Sequence, residues 1–377
     1  MEIKEEKALS KKAILAFLLS SCLIAAFFAY LYIDLNQKLE ALSATSGIFA
    51  PTPQSPSEIY NEVKDSIVLV EKRENTSEGV VTVGMCSGFI YDRKHILTVY
   101  NLIANASEVR VVFDNKTKVK VEIEGFDEYS NLAVLKIDEN ISITQGPLYL
   151  GQSDWLHPEE KIHIVGKVYG TENLLLSGEV NGFGVSLHFK DDFPLVDVIK
   201  FSAAALSLET LGAPLLNSRA EVVGMIIDLA DKNSSITTMG YALSSKMIEK
   251  IASSIIENGE YKHPWLKGVW GTDMTQEIAE HMKTNFTRGF LVTHVNSSVS
   301  GKLKAGNKTV VIDGKNVTIG GDIIIKIDSA EVTGIYDIVA YLEEHSKKTK
   351  VELTVVRDGE VSEESISWPV DAFSPID

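Results

Sequence analysis

The sequence predicts a mainly β protein behind one N-terminal membrane-spanning helix, closing with an α+β segment. Three observations carry this. Ala13 to Ile33 holds no charged residue. From Ser66 to about Leu243, short β-rich runs follow one another with turn residues between them and no amphipathic helix, a spacing that fits barrels or sandwiches. From about His263 to Pro369, strand patterns alternate with two helical ones. The 377 residues leave room for two or three domains, and an apolar fraction of 45% belongs to a chain that folds.

As a helix rising about 1.5 Å per residue, Ala13–Ile33 would cover roughly 30 Å, the thickness of a bilayer's hydrocarbon core. Lys11 and Lys12 precede it and Asp34 follows, which favours an inside N-terminus. The alternative is a cleaved signal peptide. The apolar run is longer than an ordinary signal core and no small-x-small site directly follows, so a retained anchor is expected. Residues 1–12 then form a cytoplasmic tail, 13–33 the anchor, and the bulk of the chain is extracytoplasmic. The Pro/Ser/Thr-rich end of 34–57 reads as a stalk. With Cys22 inside the span, Cys86 is alone in the body, so an intrachain disulfide is excluded, and Cys86 reads as a small buried apolar residue. Asn-x-Ser/Thr sequons begin at Asn75, Asn105, Asn115, Asn140, Asn233, Asn285, Asn296, Asn307 and Asn316. Random pairing would give roughly two or three. The excess, all beyond the apolar segment, points to a glycosylated outer-surface protein.

In the body, Ser57 is expected to cap a short helix over Glu58–Lys64. Strands are predicted at Ile67–Glu71, Val80–Met85, Gly88–Tyr91, His95–Thr98, Glu108–Phe113, Lys118–Glu124 and Leu132–Ile137. A second set follows at Leu148–Leu150, Lys161–Val165, Leu175–Val180, Leu195–Phe201, Val222–Ile227 and Met239–Ala242. The 140–147 connection divides two barrels of similar size. Ser244–Asn258 has helical apolar spacing, with Gly259 as its stop. Further on, Thr275–Lys283 and Ile335–Glu344 read as helices, and Gly320–Asp328 and Val351–Asp358 as strands.

The net charge of −16 argues against a nucleic-acid partner, which needs clustered Lys and Arg. No metal-ligand pattern or cofactor fingerprint stands out, so neither a metal nor a cofactor is expected. The informative motif is Glu209-Thr210-Leu211-Gly212-Ala213-Pro214-Leu215-Leu216-Asn217, followed by Val223-Gly224. It resembles the nucleophile loop of HtrA (Deg) trypsin-like serine proteases, where Gly-Asn-Ser-Gly-Gly-Pro-Leu-Leu-Asn presents the serine. Ser87-Gly88-Phe89-Ile90 with His95-Ile96-Leu97-Thr98 resembles the strands leading to the family's histidine. Asn131-Leu132-Ala133-Val134-Leu135-Lys136-Ile137 resembles the strand that opens with its aspartate. The resemblance implies a trypsin-like double β-barrel over 58–258.

Position by position, the same resemblance implies a dead site. An activated hydroxyl, a base and an orienting carboxylate are required. The base position is Asn101, the aspartate position Asn131 and the serine position Leu211. Glu209 stands where the oxyanion loop needs glycine, adding a Cβ and a charge that opposes an oxyanion. His95, Asp127 and Ser207 lie off the required frame.

Residues 263–369 resemble an HtrA-type PDZ domain. Pro264-Trp265-Leu266-Lys267-Gly268-Val269 fits the opening loop, with Gly289-Phe290-Leu291-Val292 and Gly321-Asp322-Ile323-Ile324 as the following strands. Trp265, Leu266, Lys267, Gly268, Val269 and Ile338 are the implied peptide-binding positions. Lys267 interrupts the usual loop spacing and Lys304–Ile319 is an insertion. The function expected is a membrane-anchored, outward-facing pseudoprotease that binds peptides or unfolded protein segments through the PDZ domain and a filled protease cleft, as scaffold, chaperone or regulator. The family's trimers imply a homo-trimer, or mixed assembly with an active relative. The alternative is an active serine endopeptidase in envelope protein quality control.

Overall fold

The computed structural model of the chain describes residues 53–77, 79–141, 143–168, 172–184, 187–191, 193–231, 235–296, 302–362 and 366–373. The expected anchor, Ala13–Ile33, lies outside them. Among the described residues no helix is long and apolar enough to cross a membrane. All elements below belong to the compact unit Gln54–Asp377.

Helix α1 (Pro56–Val63) opens this unit. Its cap is Ser55, not the expected Ser57. Pro56 lacks an amide hydrogen and has a fixed φ, so it suits the first helical position and puts the cap one residue earlier. The Ser55 amide and hydroxyl donate to Glu58 Oε2 at 2.8 and 2.7 Å, while the Glu58 amide donates back to Ser55 Oγ, a reciprocal capping box.

The first barrel comprises β1 (Ile67–Thr76), β2 (Gly79–Ile90), β3 (His95–Val99), β4 (Glu108–Val112), β5 (Lys118–Asp127) and β6 (Leu132–Ile137). It closes in the order β1-β2-β3-β6-β5-β4. Where two strands were expected between Val80 and Tyr91, β2 runs unbroken. Gly88 does not interrupt it: a Cβ there would meet Leu97 O at 2.8 Å, so the residue is glycine because the β3 backbone crosses closely.

The second barrel comprises β7 (Lys161–Val168), β8 (Glu172–Phe183), β9 (Val198–Leu206), β10 (Pro214–Leu216), β11 (Val222–Leu229) and β12 (Thr237–Ser244), closing as β10-β11-β12-β9-β8-β7. The expected strand Leu148–Leu150 is reduced to one bridge, Leu150 to Val222. Strand β10, three residues long, gave no periodic signal in the sequence. Helix α2 (Ser245–Asn258) is capped by Ser244 and stopped by Gly259 at φ +82°. Its Ile248, Ile251 and Ile255 are buried, and it packs across β5, β6 and β11. The two barrels and α2 share one apolar core.

The C-terminal module holds β13 (Pro264–Leu266), β14 (Val269–Asp273), α3 (Gln276–Met282), β15 (Phe290–Val295), β16 (Lys308–Ile312), β17 (Lys315–Ile319), β18 (Ile323–Ile327) and β19 (Ala330–Glu331). It continues with α4 (Ile335–Glu344), β20 (Lys350–Arg357), β21 (Glu360–Val361) and β22 (Ile366–Ala372). Its main sheet runs β13-β22-β20-β18-β15-β14, and the inserted segment folds as the separate hairpin β16-β17. Of the nine sequon asparagines, Asn233 lies outside the described residues and the others are exposed.

Candidate functional site

The cleft is set by how the barrels are tied together. The Asn101 amide, just after β3, donates to Asn131 Oδ1 at 2.8 Å. Asn131 Nδ2 donates across to Ile227 O of β11 at 2.9 Å. Next to it on the same strand, Ile226 O accepts from the Gly212 amide at 2.8 Å. The structure thus brings the Asn101 and Asn131 positions into contact and fastens the Leu211 loop to the adjacent residue of β11. Asn131 is buried at 2% exposure in a left-handed conformation (φ 61°), which asparagine adopts more readily than most residues.

Leu211 is also 2% exposed. Its carbonyl accepts from the Ser87 amide at 2.9 Å, and its own amide donates to Leu208 O at 3.2 Å, closing a 3₁₀ turn over Leu208–Thr210. The turn therefore takes up that amide. Glu209 is half-buried, and its carbonyl accepts from Ser87 Oγ at 2.8 Å. Gly212 (φ +82°) is compelled by space, since a Cβ would lie 2.1 Å from Ser87 O. Ala213 is fully buried beside it.

The polar and nucleophilic side chains flanking these residues are already engaged. Ser87 is buried, with its hydroxyl donating to Glu209 O and accepting from the Lys167 amide at 2.9 Å. It is a strut between barrels, and nothing in its sequence context marked it as one. Cys86 is buried at 1% exposure; burial pushes its thiol up to about 12, against a smaller opposing effect of Thr98, so it forms no useful thiolate. His95 stands between Asp92 and Glu124, with Nδ1 2.7 Å from Asp92 Oδ2 and Nε2 2.7 Å from Glu124 Oε2. Both ring nitrogens are engaged away from the cleft.

The acid–base groups gather elsewhere. Where α2 and β5 meet the C-terminal module, His263 Nε2 donates to Asp127 Oδ2 at 3.0 Å and Nδ1 to Glu343 Oε1 at 2.7 Å. The Tyr261 hydroxyl donates to Glu343 Oε2 at 2.5 Å, and Lys250 Nζ reaches the Glu343 carbonyl. Asp127, His263 and Glu343 are 4, 3 and 1% exposed. Phe193, Tyr129 and Tyr261 pack their rings around the imidazole, with centroids 4.8, 5.4 and 4.8 Å away. Burial disfavours the charged imidazole, but the two carboxylates outweigh it and raise His263 to about 9. Burial likewise opposes the Asp127 carboxylate; hydrogen bonds from His263, Ser130 and the Tyr129 amide hold it below its ordinary value. Asp127 also accepts from the Ser130 amide, so it shapes the turn that presents Asn131. The node is fully coordinated and closed to solvent, an arrangement for holding two parts together.

In the C-terminal module, Trp265, Leu266, Val269 and Ile338 are 4, 0, 0 and 0% exposed, whereas Lys267 is exposed and Gly268 half-buried. Trp265 Nε1 donates to Val269 O at 2.7 Å, Trp368 Nε1 to Lys267 O at 3.0 Å, and the Asn296 amide to Gly268 O at 2.8 Å. Lys267 Nζ pairs with Asp371 at 2.9 Å. Among the described residues there is no cluster of metal-ligating side chains.

Residues 86–225 match the family model described as "Trypsin-like peptidase domain", a span that includes Asn101, Asn131 and Leu211. The chain is 26% identical over 280 residues to "Protease Do-like 1, chloroplastic" of Arabidopsis thaliana, covering 74% of this chain and 62% of that protein. It is 24% identical over 298 residues to "Periplasmic serine endoprotease DegP" of Salmonella typhimurium, covering 77% and 58%. It therefore spans about six tenths of the length of these relatives. Among solved structures, "HtrA-type protease AlgW with decapeptide" superposes with a TM-score of 0.67 at 19% identity, covering 85% of this chain and all of that one. The serine endoprotease from Yersinia pestis gives 0.58 at 16% identity over 86% of this chain. The fold is the trypsin-like double β-barrel, and the chain is similar to HtrA-type proteases.

Proposed function

We propose that this chain is a pseudoprotease: an HtrA-like double barrel without hydrolytic activity that binds peptide or unfolded protein segments. The observation that carries the reading is the buried Leu211, its amide committed to the Leu208–Thr210 turn, beside a base position and an orienting position both occupied by asparagine. An asparagine accepts no proton near neutral pH, and leucine has no lone pair. Loss of all triad members removes about six orders of magnitude in turnover in subtilisin.

Binding is assigned to the C-terminal module, read as a PDZ domain. Strand β14 ends its sheet, and Asp273, the last residue of β14, accepts from the Ile335 amide at the start of α4 at 2.6 Å. The far end of the edge strand thus meets the start of the helix, as the two walls of a groove for an added peptide strand would. The Gly268 amide donates to no carbonyl among the described residues, which leaves it for a peptide's terminal carboxylate. In this reading, residues 13–33 anchor the protein with its body outside the membrane, the exposed sequons carry glycans, and self-association or pairing with an active relative brings the silent subunit to its clients.

The test is direct. The purified chain is incubated with casein and with a fluorophosphonate probe. No cleavage and no serine labelling above background is expected. Turnover that vanishes when one particular serine is replaced would overturn the proposal and restore the endopeptidase reading.

A further inference from the structure

One cavity of the C-terminal module has the opposite charge character to the chain around it. The protein carries 52 Asp and Glu against 36 Lys and Arg, yet residues 281–312 contain Lys283, Arg288, Lys302, Lys304 and Lys308, with His281 and His294, and not one carboxylate. The β16–β17 hairpin and the end of α3 fold parts of this run around a cavity of about 340 Å³. His281, Lys283, Asn307 and Lys308 line it, and Gly320 and Gly321 complete its polar wall. Met282, Ile319, Ile323 and Val356 supply the apolar side.

Some lysines elsewhere sit on carboxylates, as in Lys94–Glu139, Lys136–Glu124 and Lys348–Asp328. Lys283 and Lys308 have no carboxylate within ion-pair distance among the described residues. The only acid in the lining, Asp358, is already neutralised by Lys304 at 2.7 Å. His281 Nδ1 donates to Glu277 O at 2.9 Å, leaving Nε2 for another partner. The Gly320 and Gly321 amides donate to no carbonyl among the described residues. Gly320 and Gly321 line the cavity without a side chain, and Gly321 is held there by close packing, since a Cβ on it would lie 1.9 Å from Val292 O. Like charges lining one cavity repel each other until an anion enters, and charge-assisted bonds to an oxyanion are the stronger kind.

We propose that this cavity binds a small phosphate- or sulfate-bearing ligand. Its oxyanion sits between Lys283, Lys308 and the Gly320–Gly321 backbone. Its uncharged body lies against Met282 and Ile319, since the space falls within the range of small-molecule sites and exceeds what a bare ion needs. The cavity shares no residue with the cleft between the barrels, and the proposal does not depend on whether that cleft is silent.

The experiment uses the full chain in non-ionic detergent, made in a host without N-glycosylation because Asn307 lines the cavity. Inorganic phosphate, inorganic sulfate, glycerol 3-phosphate and the diester glycerophosphoglycerol are titrated calorimetrically against chloride at equal ionic strength. Saturable binding of at least one oxyanion, absent with chloride and weakened about tenfold or more by Lys283→Gln/Lys308→Gln, is the expected result. Both lysines are exposed, so the variant should keep the parent's thermal midpoint. Preference for the diester marks a lipid headgroup as the source, and preference for the monoester a soluble ester. No saturable binding, or equal binding by the double variant, sinks the proposal.

Discussion

The cleft between the barrels and the seam beneath the C-terminal module make opposite uses of polar residues. In the cleft, the three positions that the proposed function aligns with the ionisable and nucleophilic groups of an active protease hold Asn101, Asn131 and Leu211. At the seam, Asp127, His263 and Glu343 are all ionisable and all buried. Geometrically the seam comes closer to an acid–base relay than the cleft does. It performs no catalysis of that kind because both imidazole nitrogens are already bonded to carboxylates and no face is open to a substrate. Chemistry needs an incompletely satisfied group next to space, whereas a clamp needs the reverse.

The strongest way to break this contrast is to remove the imidazole. His263→Ala leaves the Asp127 and Glu343 carboxylates buried without their shared donor, and breaking a buried charged network typically costs about 3–5 kcal/mol. Urea unfolding should show a loss of that order. A change under about 1 kcal/mol would mean that the seam is more open than its burial indicates.

A smaller effect follows from pH. His263 is raised to about 9 in the fold, so its stabilising contribution is complete below the unfolded imidazole value of about 6.5 and is lost as pH rises through 9. The facing groups are Asp127 from β5, Glu343 from α4, Lys250 from α2 and the hydroxyl of Tyr261. Stability should fall by on the order of 2–4 kcal/mol between pH 6.5 and 9. His263→Gln, which keeps a polar side chain but cannot be protonated, should flatten that slope. A wild-type profile flat over this window would place the imidazole outside the clamp.

The double barrel was legible because its strands repeat at short intervals and its motifs keep their frame: Leu211 could be placed from Gly212-Ala213-Pro214-Leu215-Leu216-Asn217 on one side and Val223-Gly224 beyond. The Ile335–Glu344 helix was read to the residue from its apolar spacing. The seam was not legible. His263 meets Asp127 across 136 residues and Glu343 across 80, and neither distance leaves a local pattern. The Leu208–Thr210 turn was missed for a different reason. A 3₁₀ turn is a choice of backbone, made here by Ser87 and Leu208 contacts that lie in three dimensions. The shift of the helix cap from Ser57 to Ser55 was available in principle, since Pro56 and Glu58 together specify it.

The sharpest test of the cleft expects the smallest effect. Rebuilding the triad as Asn101→His/Asn131→Asp/Leu211→Ser returns each side chain to the type the chemistry needs. It does not return the backbone. The Leu208–Thr210 turn still holds the amide of residue 211 against Leu208 O at 3.2 Å, and the bond from Ser87 Oγ to the Glu209 carbonyl still pins the loop in that turn, so an oxyanion would find that donor occupied. Removing one oxyanion-hole donor alone costs about 10²–10³ in turnover. Asn131→Asp also exchanges the Nδ2 donor to Ile227 O for an acceptor, setting carboxylate against carbonyl in a buried place, a change that costs about 1–3 kcal/mol. The triple variant is therefore expected to show no fluorophosphonate labelling above the parent, and to unfold more readily. Adding Glu209→Gly, which frees the loop to leave the turn, is the change that should first produce detectable labelling. Labelling by the triple variant alone would show that the cleft had lost only its side chains, and that the contrast with the seam lies in three residues and not in the backbone beneath them.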